Sequence, residues 1–257
     1  MLQTVYHTIG ISEIELRCVV DSLDYGPHLH ENYSIGLLTK GVQNVQTGQT
    51  NEIAFAGSVQ FMEPFQVHEN RSLSRNGYSF RHIEISCSRL HQILDRQALP
   101  SPSNYINDTI LFRKLMRAFN TLTADDNALA QDEYLTDAIS ALFPASETSR
   151  FHPNAGPRLV AKAREFLHAN FSCSFKLDSL AELVGVSRVH VSRVFKEHIG
   201  LAPHEYLVQL RVARAKVLIA EGMPIGEAAA SSGFADQSHL NRYFKRIIHV
   251  TPGKYAR

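Results

Sequence analysis

The chain has 257 residues, 44% of them hydrophobic and 20% charged, with 14 glycines and 10 prolines. That mixture excludes disordered, collagen-like and coiled-coil classes and leaves room for one large or two modest domains, each with its own core. The net charge of +1 conceals a split: from Gly156 onward 15 Lys and Arg stand against 8 Asp and Glu, whereas the preceding part has 11 against 17. A basic carboxy-terminal part points to a polyanionic partner.

Met1–Gly10 lacks the basic start and apolar run of a secretory signal, and no stretch approaches the ~20 apolar residues of a membrane span. Cys18, Cys87 and Cys173 are scattered, with no pair at metal-ligand spacing. Reduced thiols in a cytoplasmic protein are the expectation.

The first half reads as short strands: Ile14–Val20, Tyr33–Lys40, Val42–Gln46, Glu52–Ala56, Val59–Met62 and Tyr78–Ser86. Turn residues separate them at Asp24–Pro27, Gly41, Gly48, Gly57 and Asn76–Gly77. This spacing predicts an antiparallel sandwich or barrel. In the last strand Phe80, His82, Glu84 and Ser86 share one face, joined by Tyr78, and Arg81, Ile83 and Ile85 the other.

After Ser88 the period becomes helical. Leu90, Ile93, Leu94 and Leu99 begin it, Pro100–Ser103 interrupts it, and two further helices follow. One carries Ile110, Leu111, Leu115, Ala118, Phe119 and Leu122; the other carries Leu135, Ala138, Ile139 and Leu142. These helices need the sheet, each other or a second subunit to bury their apolar faces. Pro144–Pro157, rich in Ser, Pro and Gly, reads as a linker between a domain at 1–150 and another at 156–257.

Beyond the linker the sequence repeats. Ala181 and Gly185 recur as Ala229 and Gly233, 48 positions on. After a one-residue shift, His190, Arg193, Phe195, Lys196, Pro203 and Tyr206 recur as His239, Arg242, Phe244, Lys245, Pro252 and Tyr255. Two copies imply a tandem pair of modules rather than a solenoid.

Each copy fits a helix-turn-helix, at about 177–198 and 225–247. In the first, Ser179 and Glu182 have capping-box spacing, with Asp178 an alternative cap. Leu180, Ala181, Leu183 and Val184 supply an apolar side, Gly185 the turn, and Ser187 the next cap. Val191, Val194 and Phe195 then face inward, leaving Arg188, His190, Ser192, Arg193 and Lys196 outward. In the second copy Gly233 turns and Asp236 caps; Leu240, Tyr243 and Phe244 bury, while Gln237, Ser238, Asn241, Arg242 and Lys245 face out. Arg can pair bidentately with guanine, and Gln or Asn with adenine. The repeated Arg could equally bind a carboxylate of its own module. Between the modules, Tyr206, Leu210, Ala213 and Val217 mark one face of a helix from about Ala202 to Glu221. Roughly 20 residues at 1.5 Å span about 30 Å, near the ~34 Å repeat of one DNA face.

The runs Ser179–Ser187, His190–Lys196 and Gly200–Pro203, with Gly233–Lys245 and Thr251-Pro252, resemble the DNA-binding domain of AraC/XylS-family transcription regulators. The resemblance covers about Pro157 to Arg257. It implies that Arg188, Val189, Ser192 and Arg193 line the first groove-facing helix, and Gln237, Ser238, Asn241 and Arg242 the second. There are departures. Gly226 and Ala228 stand where a better helix former and a larger apolar residue would be expected, and His249 replaces the first module's Gly200.

Less distinctively, His28-Leu29-His30-Glu31-Asn32-Tyr33, Gly41, and Gly57 through Pro64 to His68-Glu69-Asn70 resemble the cupin-type sensing domain of such regulators. The implied fold is a two-domain α+β protein: a jelly-roll barrel with following helices, then an all-α domain. The resemblance also implies a small-molecule effector in the barrel and a homodimer formed through the helices that follow. His28, His30, Tyr33 and His68 are the expected effector contacts; the alternative is that the histidines pack in a polar interior. A sugar, an amino acid and an aromatic acid suit the barrel equally.

His28, His30 and His68 could also hold a divalent metal. Metal-binding cupins usually add a Glu three or four residues after the second His, where this chain has Ser34 and Ile35. The competing expectation is therefore a metal-dependent cupin enzyme fused to a DNA-binding domain. The favoured one has no catalytic residues, metal or cofactor. It is a regulator whose partners are double-stranded DNA, an effector, a second copy and, in addition, RNA polymerase.

Overall fold

The computed structural model describes residues 3–7, 13–22, 24–48, 50–95, 102–124, 127–143, 158–174 and 176–256, with backbone alone at 3–7. The expected linker Pro144–Pro157 and the break at Pro100-Ser101 lie outside them. Contacts divide the chain into two compact units, one strand-rich and one helical, with the short segments Pro27–Glu31 and Thr47–Gln49 counted with the helical one.

In chain order the strand-rich part runs β1 (Gln3–His7), β2 (Ile14–Ser22), β3 (Asp24–His28), β4 (Tyr33–Lys40), β5 (Val42–Thr47), β6 (Thr50–Phe55), β7 (Val59–Met62), β8 (His68–Ser72) and β9 (Tyr78–Ile85). Then come α1 (Cys87–Leu94), β10 (Tyr105–Ile106), α2 (Thr109–Ala124) and α3 (Ala128–Leu142). One sheet has the order β1-β2-β9-β4-β7-β10 and the other β3-β8-β5-β6. The central pairings of the larger sheet are antiparallel, with Arg17 opposite His82 and Ser34 opposite Glu84.

Alternation along these strands makes two cores. Ile14, Leu16, Ile35, Leu37, Ile83 and Ile85 bury against α2 and α3, through Leu115, Phe119, Leu135 and Ile139. Leu38, Met62 and Tyr78 turn the other way and meet Val45 and Ala54 of the smaller sheet. With cover on both sides, β4 is buried continuously from Ser34 to Leu38. Arg81, on the helix-facing side, lies 5.8 Å from the Phe119 ring centroid.

The turn expected at Asp24–Pro27 is instead part of β3. Pro27 is tolerated because β3 is an edge strand, where a missing N–H breaks no ladder. The strand β8 was not expected, since it is short and polar.

The second unit comprises α4 (Arg158–Ala169), α5 (Leu177–Val184), α6 (Arg188–Ile199), α7 (Pro203–Ala220), α8 (Ile225–Ser231), α9 (Gln237–Ile248) and α10 (Pro252–Tyr255). Two of the expected local features change. The helix α5 starts at Leu177 with Lys176 as an N-cap that makes no side-chain bond, so Ser179 and Glu182 form no capping box. Helix α7 was expected to bury one face; it is buried nearly all round, because α4, α6, α8, α9 and α10 pack about it.

Candidate nucleic-acid interface and barrel site

Both helix-turn-helix units are built by the same local devices. Gly185 and Gly233 end the first helix of each in the left-handed region, at φ 72° and 80°. Ser187 Oγ accepts from the His190 N–H at 3.3 Å, and Asp236 Oδ1 accepts from the His239 N–H at 2.7 Å, starting α6 and α9. Gly200 and His249 close them, again left-handed, at φ 90° and 66°.

Each recognition helix is then fixed by the same aromatic contact. Phe195 meets Tyr206 at 5.5 Å between ring centroids, and Phe244 meets Tyr255 at 5.6 Å. Pro203 and Pro252 open the helices that carry those tyrosines. The second turn is also clamped from outside: a Cβ on Gly233 would stand 2.7 Å from the Ser172 carbonyl oxygen. Arg211 holds that segment by donating to the Phe171 and Cys173 carbonyls at 2.7 and 3.0 Å.

Arg188, Val189 and Arg193 on α6 are exposed, as are Gln237, Ser238 and Arg242 on α9, with Ser192 and Asn241 half-buried. Val189, 78% exposed, presents an apolar group with no packing role. The two helices differ in charge. Arg188 Nε lies 3.2 Å from Asp178 Oδ1, and Arg193 lies 3.6 Å from Glu197. On α9, among the described residues, Arg242, Lys245 and Arg246 have no acidic partner; the two arginines flank the Tyr243 ring instead. Arg246 carries no local signal in the sequence, and Tyr243, expected to be buried, is half-buried.

The first module also carries a partly buried polar contact. His168 Nε2 and the Tyr206 hydroxyl are 2.9 Å apart. Burial, and then the Arg164 charge, hold the imidazole below its ordinary pKa. Burial raises that of the Tyr206 phenol, so the pair is neutral near pH 7.

One ring nitrogen from each of His28, His30 and His68 lies within 4.8 Å of the other two. Adjacent strands explain this: His28 ends β3 and His68 begins β8. Three imidazoles so placed could hold a divalent metal. No glutamate stands at the fourth position: Ser34 is committed to His82, and Ile35 lies in the helix-facing core. Tyr33 faces away from Ser34, stacked on Phe61 at 5.6 Å, with its phenol pushed up to about 12, chiefly by burial.

A further polar set lies between the sheets. Arg17 Nε donates to His82 Nδ1 at 3.1 Å, Ser34 Oγ is 2.5 Å from His82 Nε2, and the guanidinium lies 3.9 Å from Glu84. Arg17, Ser34, His82 and Glu84 are all buried. The Gln43 Oε1, Gln60 Nε2 and Asn70 Oδ1 atoms are buried and have no hydrogen-bond partner among the described residues. The available signal was the polar face of β9, His82 with Glu84, which ordinary alternation would have put in solvent.

Paired recognition helices behind a strand-rich domain with a polar interior define a DNA-binding regulator with a separate sensing unit. The profile of the AraC-like ligand binding domain matches residues 20–153, and that of a helix-turn-helix domain matches 180–257. The chain belongs to the AraC family of transcription regulators. It is similar to the HTH-type transcriptional regulator YbfI of Bacillus subtilis, 25% identical over 223 residues, 83% of this chain and 80% of that protein. Apo ToxT of Vibrio cholerae shares the fold at TM-score 0.60, with 16% identity over 97% of this chain and 98% of that one. Unsaturated fatty acid bound ToxT aligns at TM-score 0.54 with 14% identity, over 95% and 94% of the two chains. Among the described residues, no helix is long and apolar enough to cross a membrane.

Proposed function

We propose that this chain is a cytoplasmic, homodimeric regulator that recognises a specific DNA sequence through both modules and changes its DNA affinity when a small molecule enters the strand-rich unit. One observation carries the reading: Arg193 and Arg242, equivalent in the repeat, stand exposed on recognition helices with matching caps and matching aromatic anchors. Arg188, Val189, Ser192 and Arg193 read one stretch of major groove, and Gln237, Ser238, Asn241 and Arg242 the next. The helix between the modules, 18 residues or about 27 Å long, is a spacer of the right order.

His28, His30 and His68 are proposed as effector contacts, with the unpartnered amide atoms of Gln43, Gln60 and Asn70 awaiting polar groups. Tyr33 then acts from behind the sheet through Phe61 rather than by touching the molecule. Because the neighbouring ToxT structure holds a fatty acid, amphipathic carboxylic acids join sugars, amino acids and aromatic acids in the trial set. The effector must bind the two DNA-binding states unequally to shift anything. Exposed Ile110 and Leu129, on α2 and α3, support a subunit contact there. RNA polymerase is a further partner at promoters. Regulation, rather than turnover, is the activity.

The test has two stages. Full-length protein is used to select genomic DNA fragments, and the trial set is then screened for compounds that raise Tm and change affinity for the selected fragments. His28→Ala, His30→Ala and His68→Ala should blunt that change while leaving basal DNA affinity intact. Failure to enrich any fragment would overturn the DNA reading; unchanged responses in all three variants would remove the histidines from the effector site.

A further inference from the structure

The repeat places Glu197 of α6 and Arg246 of α9 at the same position, 49 residues apart. Their environments are opposite. Glu197 sits one turn beyond Arg193 and pairs with it at 3.6 Å. Arg246 sits one turn beyond Arg242, so two like charges share a ridge that repels itself. Residues 237–248 contain no Asp or Glu.

What holds the two guanidiniums is an aromatic ring. Arg242 Cζ lies 5.2 Å and Arg246 Cζ 4.6 Å from the Tyr243 ring centroid, both within cation–π range. That ring is itself anchored, 5.1 Å from His239 and 6.2 Å from Phe234. Phe234 is buried and follows the clamped turn at Gly233. The first module has Val194 at the position of Tyr243, buried and unable to play this part.

We infer that Arg246 is a DNA-phosphate contact of the second module and that Tyr243 is a positioning residue holding Arg242 and Arg246 in a common anion-binding edge. The inference rests on the proposed docking of α9 in the major groove. In that docking the first turns of a recognition helix reach base edges, and the last turn lies against the groove wall. Arg246 is in the last turn, exposed, beside Lys245. A phosphate there removes the repulsion between the two arginines, which gives a reason for the repeat to carry Arg where its first copy carries Glu.

The experiment measures affinity of full-length protein for a fluorescent duplex from the selected genomic fragments and for a random-sequence 40-base-pair duplex, across a salt series. Arg246→Ala should weaken both duplexes by the same factor of a few, and reduce the slope of log K against log salt by about 0.9, the loss of one phosphate contact. Tyr243→Phe keeps the ring and should behave as the parent. Tyr243→Leu keeps apolar packing against Phe234 and should weaken both duplexes with a reduced slope at unchanged Tm. An unaltered slope in Arg246→Ala, a loss confined to the selected duplex, or a parent-like Tyr243→Leu would overturn the inference. Arg242→Ala and Asn241→Ala serve as the separate arm: if neither affects the selected duplex, the docking of α9 itself has failed, whatever Arg246 does.

Discussion

The two helix-turn-helix modules share a skeleton and differ in what that skeleton presents. Phe195 on Tyr206 and Phe244 on Tyr255 have centroid separations within 0.1 Å of each other, at interplanar angles of 72° and 58°, and the caps Ser187 and Asp236 do the same work. Outside that frame, α6 has its arginines held by Asp178 and Glu197, whereas α9 has three cations with no acidic partner among the described residues and an aromatic ring between two of them. Packing tolerates few solutions once the helix angle is set, while surface positions can be reassigned without unfolding anything. The second module thus presents more uncompensated positive charge than the first.

The largest effects should be equal in the two modules. Phe195→Ala and Phe244→Ala each empty a fully buried site and should cost roughly 3–5 kcal/mol, measured by chemical denaturation. A loss at one site less than half that at the other would break the internal symmetry. Next come the arginines. Arg242→Ala should lose roughly 1–3 kcal/mol of binding to a selected fragment, and Arg193→Ala less, because Glu197 already competes for its charge. The reverse ranking in a titration would invert the comparison.

Acidity separates the modules further. The tyrosine of the first is joined to His168, whose pKa burial lowers, whereas that of the second faces Lys216 at 6.0 Å. A lowered folded-state pKa means that the stabilisation is complete above the ordinary value of 6.5 and is lost as pH falls below it, through the folded value. Tm should therefore fall between pH 7 and 5, and His168→Gln should flatten that fall. An equally steep decline in the variant would point to other groups. The smallest effect tests the restraint itself: Glu197→Gln releases an exposed pair worth about 0.2–1 kcal/mol, and should tighten binding to random DNA by no more than about fivefold. Weaker binding in that variant would mean that Glu197 orients Arg193 rather than shielding it.

Much of this was legible in the sequence, for physical reasons that vary along the chain. Helix termini were readable at Ser187, Gly185, Gly233 and Asp236, because caps and left-handed turns restrict residue choice locally. Lys176 as the cap of α5 was not, since its side chain contributes no bond and the start is set by packing. The strands β4 and β9 announced themselves by β-branched and aromatic runs. By contrast β3 and β8, with Pro27 in one and charged residues in the other, form because neighbours complete their ladders. The three histidines were identifiable as a group from spacing, but Arg17, His82 and Ser34 were not, since nothing local reveals that three polar residues of separate strands share a buried register.

The most direct measurement is a hydroxyl-radical footprint of the full-length protein on a selected genomic fragment. Two protected patches on one face of the duplex, about one helical turn apart, should be seen; Arg242→Ala combined with Asn241→Ala should erase one of them and leave the other. A single patch unaffected by that pair of substitutions, or no protection at all, would contradict a reader built from two modules.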